Sequence, residues 1–313
     1  MKPYFSIIIP LYNKEKHIID TLNSVWSQSV SGFEVIVVND GSTDGSLDQV
    51  NAVNDERLHI FSIKNQGVSN ARNYGISKAN ADLIVFLDAD DVWFEHHLKD
   101  LKDLHEEFPN CGMYCKAYDK KDGSILIPSK FKNIPNDRLW KGIVNDYFDS
   151  SLINSIAWTS AVMVPKNIFE KIGNFNIIYN SGEDTDLWIR IGLKFSIAFS
   201  NKVSAIHNLS SENKITDLKL SSRNHLDFNM FQKEESLNNG LKKYLDLNRY
   251  SLAIQYKLEH NILEAKNIYK QINLDNLTSL QKFIFSLPAS AIRPILKSRN
   301  SLRQLGLNLR LFR

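Results

Sequence analysis

Four short apolar runs mark the first part of the chain: "YFSIIIP" (Tyr4–Pro10), "FEVIVVND" (Phe33–Asp40), "RLHIFSI" (Arg57–Ile63) and "DLIVFLD" (Asp82–Asp88). Runs of this length, ended by turn or charged residues, read as buried strands. The stretches between them read as helices. Ile18, Ile19, Leu22, Val25 and Trp26 recur at helical spacing, residues 46–53 make a short helix, and "VSNARNYGISKA" makes another with Ser69 as its N-cap. Strands alternating with helices predict a parallel, doubly wound α/β sheet with right-handed crossovers. Ligands of such sheets bind beyond the carboxyl ends of the strands.

The pattern continues less regularly. "WFEHHLKDLKDLHEEF" is amphipathic and predicts a helix, and "CGMYCKAYDKKDGSILIP" predicts a hairpin turning at "KKDGS". "AWTSAVMVPKNIFEKIGNF" reads as strand then helix, "SGEDTDLWIRIGLKF" as a helix with an acidic start, and "FSIAFSNKVSAIHNLS" as a strand. From about Asp217 the pattern is helical, with "YSLAIQYKLEHNILEAKNIYKQI" reading as a helix–turn–helix pair.

Composition narrows the class. Of the 313 residues, 43% are hydrophobic and 23% charged, as in an ordinary globular protein. The net charge of +3 gives no argument for nucleic acid. Its distribution is uneven: residues 276–313 hold seven Lys/Arg and no acid, which leaves about −4 on residues 1–275. The chain thus ends in a basic tail rich in Leu, read either as an amphipathic helix closing over the core or as a surface for anionic lipid. Cys111 and Cys115 lack companion ligands and read as reduced structural thiols. No apolar run approaches the roughly 20 residues that span a bilayer, and the first residues lack the marks of a signal peptide. The expectation is a cytoplasmic protein, peripheral at most on the inner face of the membrane.

The chemistry gathers at the strand ends. "DLIVFLDADD" places Asp88, Asp90 and Asp91 at the end of a buried run. Helix capping accounts for one such carboxylate. Three crowded carboxylates need a cation or a set of N–H donors. Mg²⁺ or Mn²⁺ answers that need, because it takes one or two carboxylates and completes its shell with substrate phosphates. Asp40 ends an earlier run, where it also fits a turn before Gly41.

Five ordered motifs then resemble the family 2 glycosyltransferases of GT-A fold: "FSIIIPLYNKEKHI", "FEVIVVNDGSTDGS", "NQGVSNARNYGISKANADLIVFLDADD", "TSAVMVPKNIFEKIGNF" and "GEDTDLWIRI". The resemblance covers roughly residues 3–215. It implies a Rossmann-like, mostly parallel sheet flanked by helices over residues 1–215, with a nucleotide-sugar half at about 1–91 and an acceptor half at about 92–215. Residues 216–313 would be a helical C-terminal extension. By the same resemblance Pro10, Tyr12 and Lys14 line the nucleotide pocket, Asp40 bonds the base or ribose, and Arg72 contacts the donor. Asp88 serves ribose and metal, and Asp90 is the more direct ligand of Mn²⁺ or Mg²⁺. Asp91 stays a cap or supporting group. His207 is a further candidate metal ligand, against the alternative of an ordinary structural histidine.

The resemblance also makes Asp184 the base of an inverting transfer, with Glu183 as second choice. An acceptor hydroxyl must lose its proton as it attacks the anomeric carbon. Acids in a helix's first turn equally complement its positive end, which suffices for Asp186. Trp188 reads as core, while Trp158 is open between core packing and facing the acceptor sugar. The implied activity moves a sugar from a nucleotide-sugar, a UDP-sugar first, to a carbohydrate hydroxyl in surface-polysaccharide assembly, on an acceptor that lipid-linked glycan chemistry would supply. A sugar-phosphate nucleotidyltransferase is the rival enzyme, disfavoured by the lack of a Gly-rich phosphate loop and by leaving "GED" without a role. A non-catalytic nucleotide-sugar-binding module is the third reading.

Overall fold

The computed structural model describes residues 2–295. The first four apolar runs are parallel strands: β1 (Phe5–Leu11), β2 (Phe33–Asn39), β3 (Leu58–Ser62) and β4 (Leu83–Phe86), linked by α1 (Ile18–Trp26), α2 (Ser46–Asn51) and α3 (Val68–Lys78). Their order across the sheet is β3-β2-β1-β4, so the chain works outward and then returns past β1. The strand order reverses between β1 and β4, and in sheets of this kind the ligand crevice lies outside the carboxyl ends of the strands at such a point.

These strands are continuously apolar because both faces are covered. In β1, Ile8 joins the core that includes α3, while Phe5, Ile7, Ile9 and Leu11 join the core that includes α1. β4 splits the same way, Ile84 and Phe86 to one side, Leu83 and Val85 to the other. Ser6 breaks the apolar run but is buried, and its hydroxyl donates to Glu34 at 2.5 Å.

The second half of the sheet is mixed. It comprises β5 (Val92–Trp93), β6 (Met113–Asp122), β7 (Ile125–Pro128), β8 (Lys141–Ile143), β9 (Val162–Pro165) and β10 (Ile197–Asn208). β9 runs antiparallel between β4 and β6, whereas β6 and β10 are parallel. The hairpin at "KKDGS" forms as expected, with Asp122 paired to Ile125. Helices α4 (His97–Glu107), α5 (Tyr147–Ser150), α6 (Lys166–Ile172) and α7 (Glu183–Gly192) fill the connections.

Three local expectations change. The helix expected from Trp93 starts at His97, because Val92 and Trp93 pair with Ile206 and Ala205 of β10. Ser69 is not a cap: α3 starts after Gly67, at φ 91, and the Ser69 side chain is buried inside the first turn. Asp91 does not cap a helix either; it is buried and bonded within the sheet edge described below.

The last helices are α8 (Gln232–Leu237), α9 (Asn239–Leu258), α10 (Ile262–Tyr269) and α11 (Ser279–Ser286). α9 belongs to two cores. Leu241, Tyr244 and Leu245 pack into the sheet's core, and Tyr250 and Ile254 form a small separate core with Ile272, Leu277, Ile284 and Ile292. Arg249, 1% exposed, joins the two by pairing with Glu235 at 2.6 Å and Asp246 at 3.3 Å. Five of the seven Lys/Arg of the basic tail lie outside the described residues. Among the described residues no helix is long and apolar enough to cross a membrane.

Candidate functional site

The ends of β1, β2 and β4 bring the predicted donor residues to one edge of the sheet. Pro10 lies within β1, in register with Val38 of β2. Tyr12 follows β1 and is 41% exposed, so it is not a core tyrosine. An exposed ring at a crevice edge is free to pack on a planar base. Asp40 is buried, and its two carboxylate oxygens accept from the backbone N–H groups of Gln66 and Gly67, each at 2.8 Å. Burial pushes its carboxyl up, and those two N–H groups pull it part of the way back. Asp40 therefore anchors the loop that leads into α3. Asp44 is a turn residue, accepting from Ser46 and from the Glu15 N–H.

α3 carries Arg72 to the centre of the site. Its guanidinium is 4% exposed; Nη2 meets Asp88 Oδ1 at 2.7 Å and Nη1 meets Glu183 Oε1 at 3.1 Å. The ring of Phe175 lies under it, 5.2 Å away. Both terminal nitrogens thus serve protein carboxylates, one from each half of the sheet. Its Nε is buried without a partner.

Asp90 is matched differently. Lys14 Nζ lies 2.8 Å from Asp90 Oδ2, and the Ser211 hydroxyl donates to the same oxygen at 2.5 Å. Asp91 is fully enclosed: Ser160 donates to Oδ2 at 2.6 Å, and the Asn208 N–H to Oδ1 at 2.9 Å. Burial drives its carboxyl well up, and the charges of Asp90 and Asp88 add to the effect. Ser160 also accepts from the Asp88 N–H at 3.0 Å, so one hydroxyl fixes both ends of the "DADD" turn. Ser160, Asn208 and Ser211 had no assigned role in the sequence. Ser160 lies within the quoted "TSAVMV" run, but nothing local distinguishes it from a strand residue.

The acids of α7 face the same crevice. The helix starts after Gly182, which sits at φ 84 in the left-handed region that glycine tolerates. Burial pushes Glu183 up to about 7, the Asp184 charge adds to this, and Arg72 opposes it. Asp184 accepts from the Thr185 N–H at 2.6 Å. Asp186 is a structural acid: it pairs with Arg190 at 2.6 Å, and Arg190 also donates to the carbonyls of Ile172 and Asn174. Trp188 is core, 1% exposed and packed against Phe86 and Phe175.

His207 lies near Asp88 and Asp90, but burial outweighs their charges and brings it down to about 4. The imidazole is neutral at pH 7, its Nδ1 is buried without a partner, and its ring stacks on Trp158 at 4.9 Å. Trp158 also packs on Tyr118 at 4.4 Å. Among the described residues no group of three His, Cys, Asp or Glu converges on a metal position. His207 lies beside the two aspartates with that Nδ1 unpartnered. Two carboxylate oxygens, Asp88 Oδ2 and Asp90 Oδ1, lie outside the bonds just described. That donor set suits Mg²⁺ or Mn²⁺ whose other ligands are phosphates and water.

Comparison with known proteins agrees with this architecture. Residues 6–172 match the family model for glycosyl transferase family 2. A putative teichuronic acid biosynthesis glycosyltransferase, TuaG of Bacillus subtilis, is 31% identical over 224 residues, covering 68% of this chain and 83% of that protein. An uncharacterised glycosyltransferase of Rickettsia conorii is 26% identical over 221 residues, 68% of this chain. The match spans only 35% of that relative's length, and 26% and 36% of two others from Rickettsia bellii and Rickettsia felis. The crystal structure of S. aureus TarS residues 1–349 in complex with UDP-GlcNAc superposes with a TM-score of 0.62 at 22% identity, covering 93% of this chain and 84% of that one. At that identity the likeness speaks for the fold. With more than half of the chain under the family model and a relative of matching extent, this protein is a member of glycosyl transferase family 2.

Proposed function

We propose that the chain is an inverting glycosyltransferase. It moves a sugar from a nucleoside-diphosphate sugar, a UDP-sugar in the first instance, to a hydroxyl of a carbohydrate in surface-polysaccharide assembly. One observation carries the reading: Asp40, Asp88 and Asp90 share the carboxyl edge of β1, β2 and β4, and Arg72 ties that edge to the start of α7. The UDP-GlcNAc bound by TarS and the teichuronic acid role given to TuaG favour a UDP donor and a cell-surface product.

In this reading Tyr12 and Pro10 pack beside the base, and Asp40 holds the nucleoside loop. Asp88 and Asp90 would hold Mn²⁺ or Mg²⁺, which would supply positive charge for a diphosphate leaving group. Asp184 takes the proton of the acceptor hydroxyl as it attacks the anomeric carbon on the side away from the diphosphate. Asp184 is a better base than Glu183, because Glu183 is already paired with Arg72. Arg72 acts by holding Asp88 and Glu183 in place. The acid-free segment from residue 276 is read as a contact with anionic lipid, where a lipid-linked acceptor would be found on the inner face of the membrane.

The test is direct. UDP-, GDP- and dTDP-sugars are supplied with Mn²⁺, and thermal stabilisation and slow donor hydrolysis are followed. Asp184→Asn should abolish transfer with UDP binding nearly unchanged; loss of both together would mean that the base is misassigned. For the tail, the full chain should sediment with anionic vesicles and a chain ending at residue 295, which keeps Leu277, Ile284 and Ile292 in their core, should not.

A further inference from the structure

The loop after β1 and the segment after β10 meet over Asp90. Lys14 Nζ contacts Asp90 Oδ2 at 2.8 Å and donates to the Glu212 carbonyl. Ser211 donates to the same Asp90 oxygen. The Glu212 carboxylate reaches back to Lys16 at 2.9 Å and His17 at 3.1 Å, and Asn213 donates to the Asn13 carbonyl at 3.1 Å. Residues 211–213 thus strap the loop of residues 13–17 across the crevice. The Lys14 and Asp90 side chains are 11% and 13% exposed, so the pair is largely shielded from water.

A shielded carboxylate holding an ammonium is a poor site for a second cation. A divalent ion approaching Asp90 meets the like charge of Lys14. Two carboxylates alone leave most of a divalent ion's shell to be filled by other oxygens. Phosphate oxygens change both conditions. They supply the missing ligands, and their negative charge gives the displaced ammonium a new partner.

We propose that Lys14 is the resident counter-cation of Asp90, leaving that carboxylate only when a divalent ion arrives together with a diphosphate. The ion alone then binds weakly, and ion and nucleotide strengthen one another by the same factor, as linkage requires. The inference rests on reading Asp88 and Asp90 as the ion's ligands. It adds that the lysine and the strap weaken ion binding in the absence of the donor.

The experiment is calorimetric titration of the full chain with MnCl₂ alone, with UDP alone, and with UDP in the presence of MnCl₂. Wild type should bind Mn²⁺ alone weakly and far better with UDP. Lys14→Met should bind Mn²⁺ alone about tenfold or more tightly than wild type and lose most of the coupling to UDP. Lys14→Arg keeps the positive charge and should behave as wild type. Asp90→Asn should remove the Mn²⁺ gain from the Lys14→Met background. Thermal melting checks that each variant is folded, and Lys14→Gln replaces Lys14→Met if the latter is not. The proposal is overturned if removing the lysine's charge leaves Mn²⁺ binding unchanged, or if Lys14→Arg binds Mn²⁺ as tightly as Lys14→Met. Failure of wild type to bind UDP with either Mn²⁺ or Mg²⁺ would instead refute the donor reading, and the Mn²⁺-only comparison would still decide the role of the lysine.

Discussion

The guanidinium of Arg72 stands 3.1 Å from the carboxylate of Glu183, joining residues 111 positions apart in the chain. With its other arm on Asp88, Arg72 is a buried cation shared by two acids, one just after β4 and one at the start of α7. Removing one partner of a buried pair leaves uncompensated charge, which costs about 3 to 5 kcal/mol. Arg72→Met should lower the urea-unfolding free energy by that order. Arg72→Lys should recover little, because a single ammonium cannot present the fork that reaches both acids.

Glu183 predicts a pH dependence. Its folded-state pKa is raised from the ordinary 4.5 to about 7. Between those values the folded protein binds a proton that the unfolded chain does not. Stability from this group is therefore greatest below about pH 4.5, falls as pH rises, and levels off above about pH 7. The fall is roughly 3 to 4 kcal/mol at about 1.36 kcal/mol per pKa unit. Urea midpoints measured from pH 4.5 to 7.5 should show the wild type losing stability relative to Glu183→Gln with rising pH. A constant difference between the two proteins would refute the burial argument.

Gly75 lies on α3 one turn after Arg72 and faces β1. A Cβ there would sit 2.5 Å from Ile8 Cγ2, so the helix or the strand must shift. Gly75→Ala gains helix propensity but overpacks the core, for a net loss of about 1 to 3 kcal/mol. Because α3 carries Arg72, the same variant should weaken nucleotide binding, measured by calorimetry, while remaining folded at room temperature.

Ser160 donates to Asp91 and accepts from the Asp88 N–H. Ser160→Ala leaves two buried polar groups without that partner, at about 1 to 3 kcal/mol. Its thermal midpoint should drop, and its affinity for UDP with Mn²⁺ should fall as the "DADD" turn loosens. Unchanged affinity with a lowered midpoint would restrict Ser160 to a purely structural role.

Much of this was legible from the chain alone. Continuous apolar runs of Val, Ile and Leu meant strands covered on both faces, and the acids at their ends marked the ligand edge. The start of α7 was legible too, since Gly182 precedes an acidic first turn and an apolar helical face. Residue type alone points to Ser69 as a cap, which it is not, and leaves Asp91 between cap and supporting group, of which the structure takes the second. The left-handed Gly67 sets where α3 begins, and the pairing of Val92–Trp93 with β10 delays α4 until His97.

Sequence by itself determined the first four strands, their alternation with helices and the residues at their carboxyl ends, because burial patterns and turn chemistry act over a few neighbouring positions. Tertiary structure alone decided who answers the acids. Ser211 reaches Asp90 across 121 positions and Asn208 reaches Asp91 across 117, contacts created only when β10 pairs with β6 and with β5, the strand that follows the "DADD" turn. A carboxylate's need for a partner is written in its charge and burial. Which partner it finds depends on what the crossovers bring within 3 Å, and here that is Lys14 for Asp90 and Arg72 for Asp88.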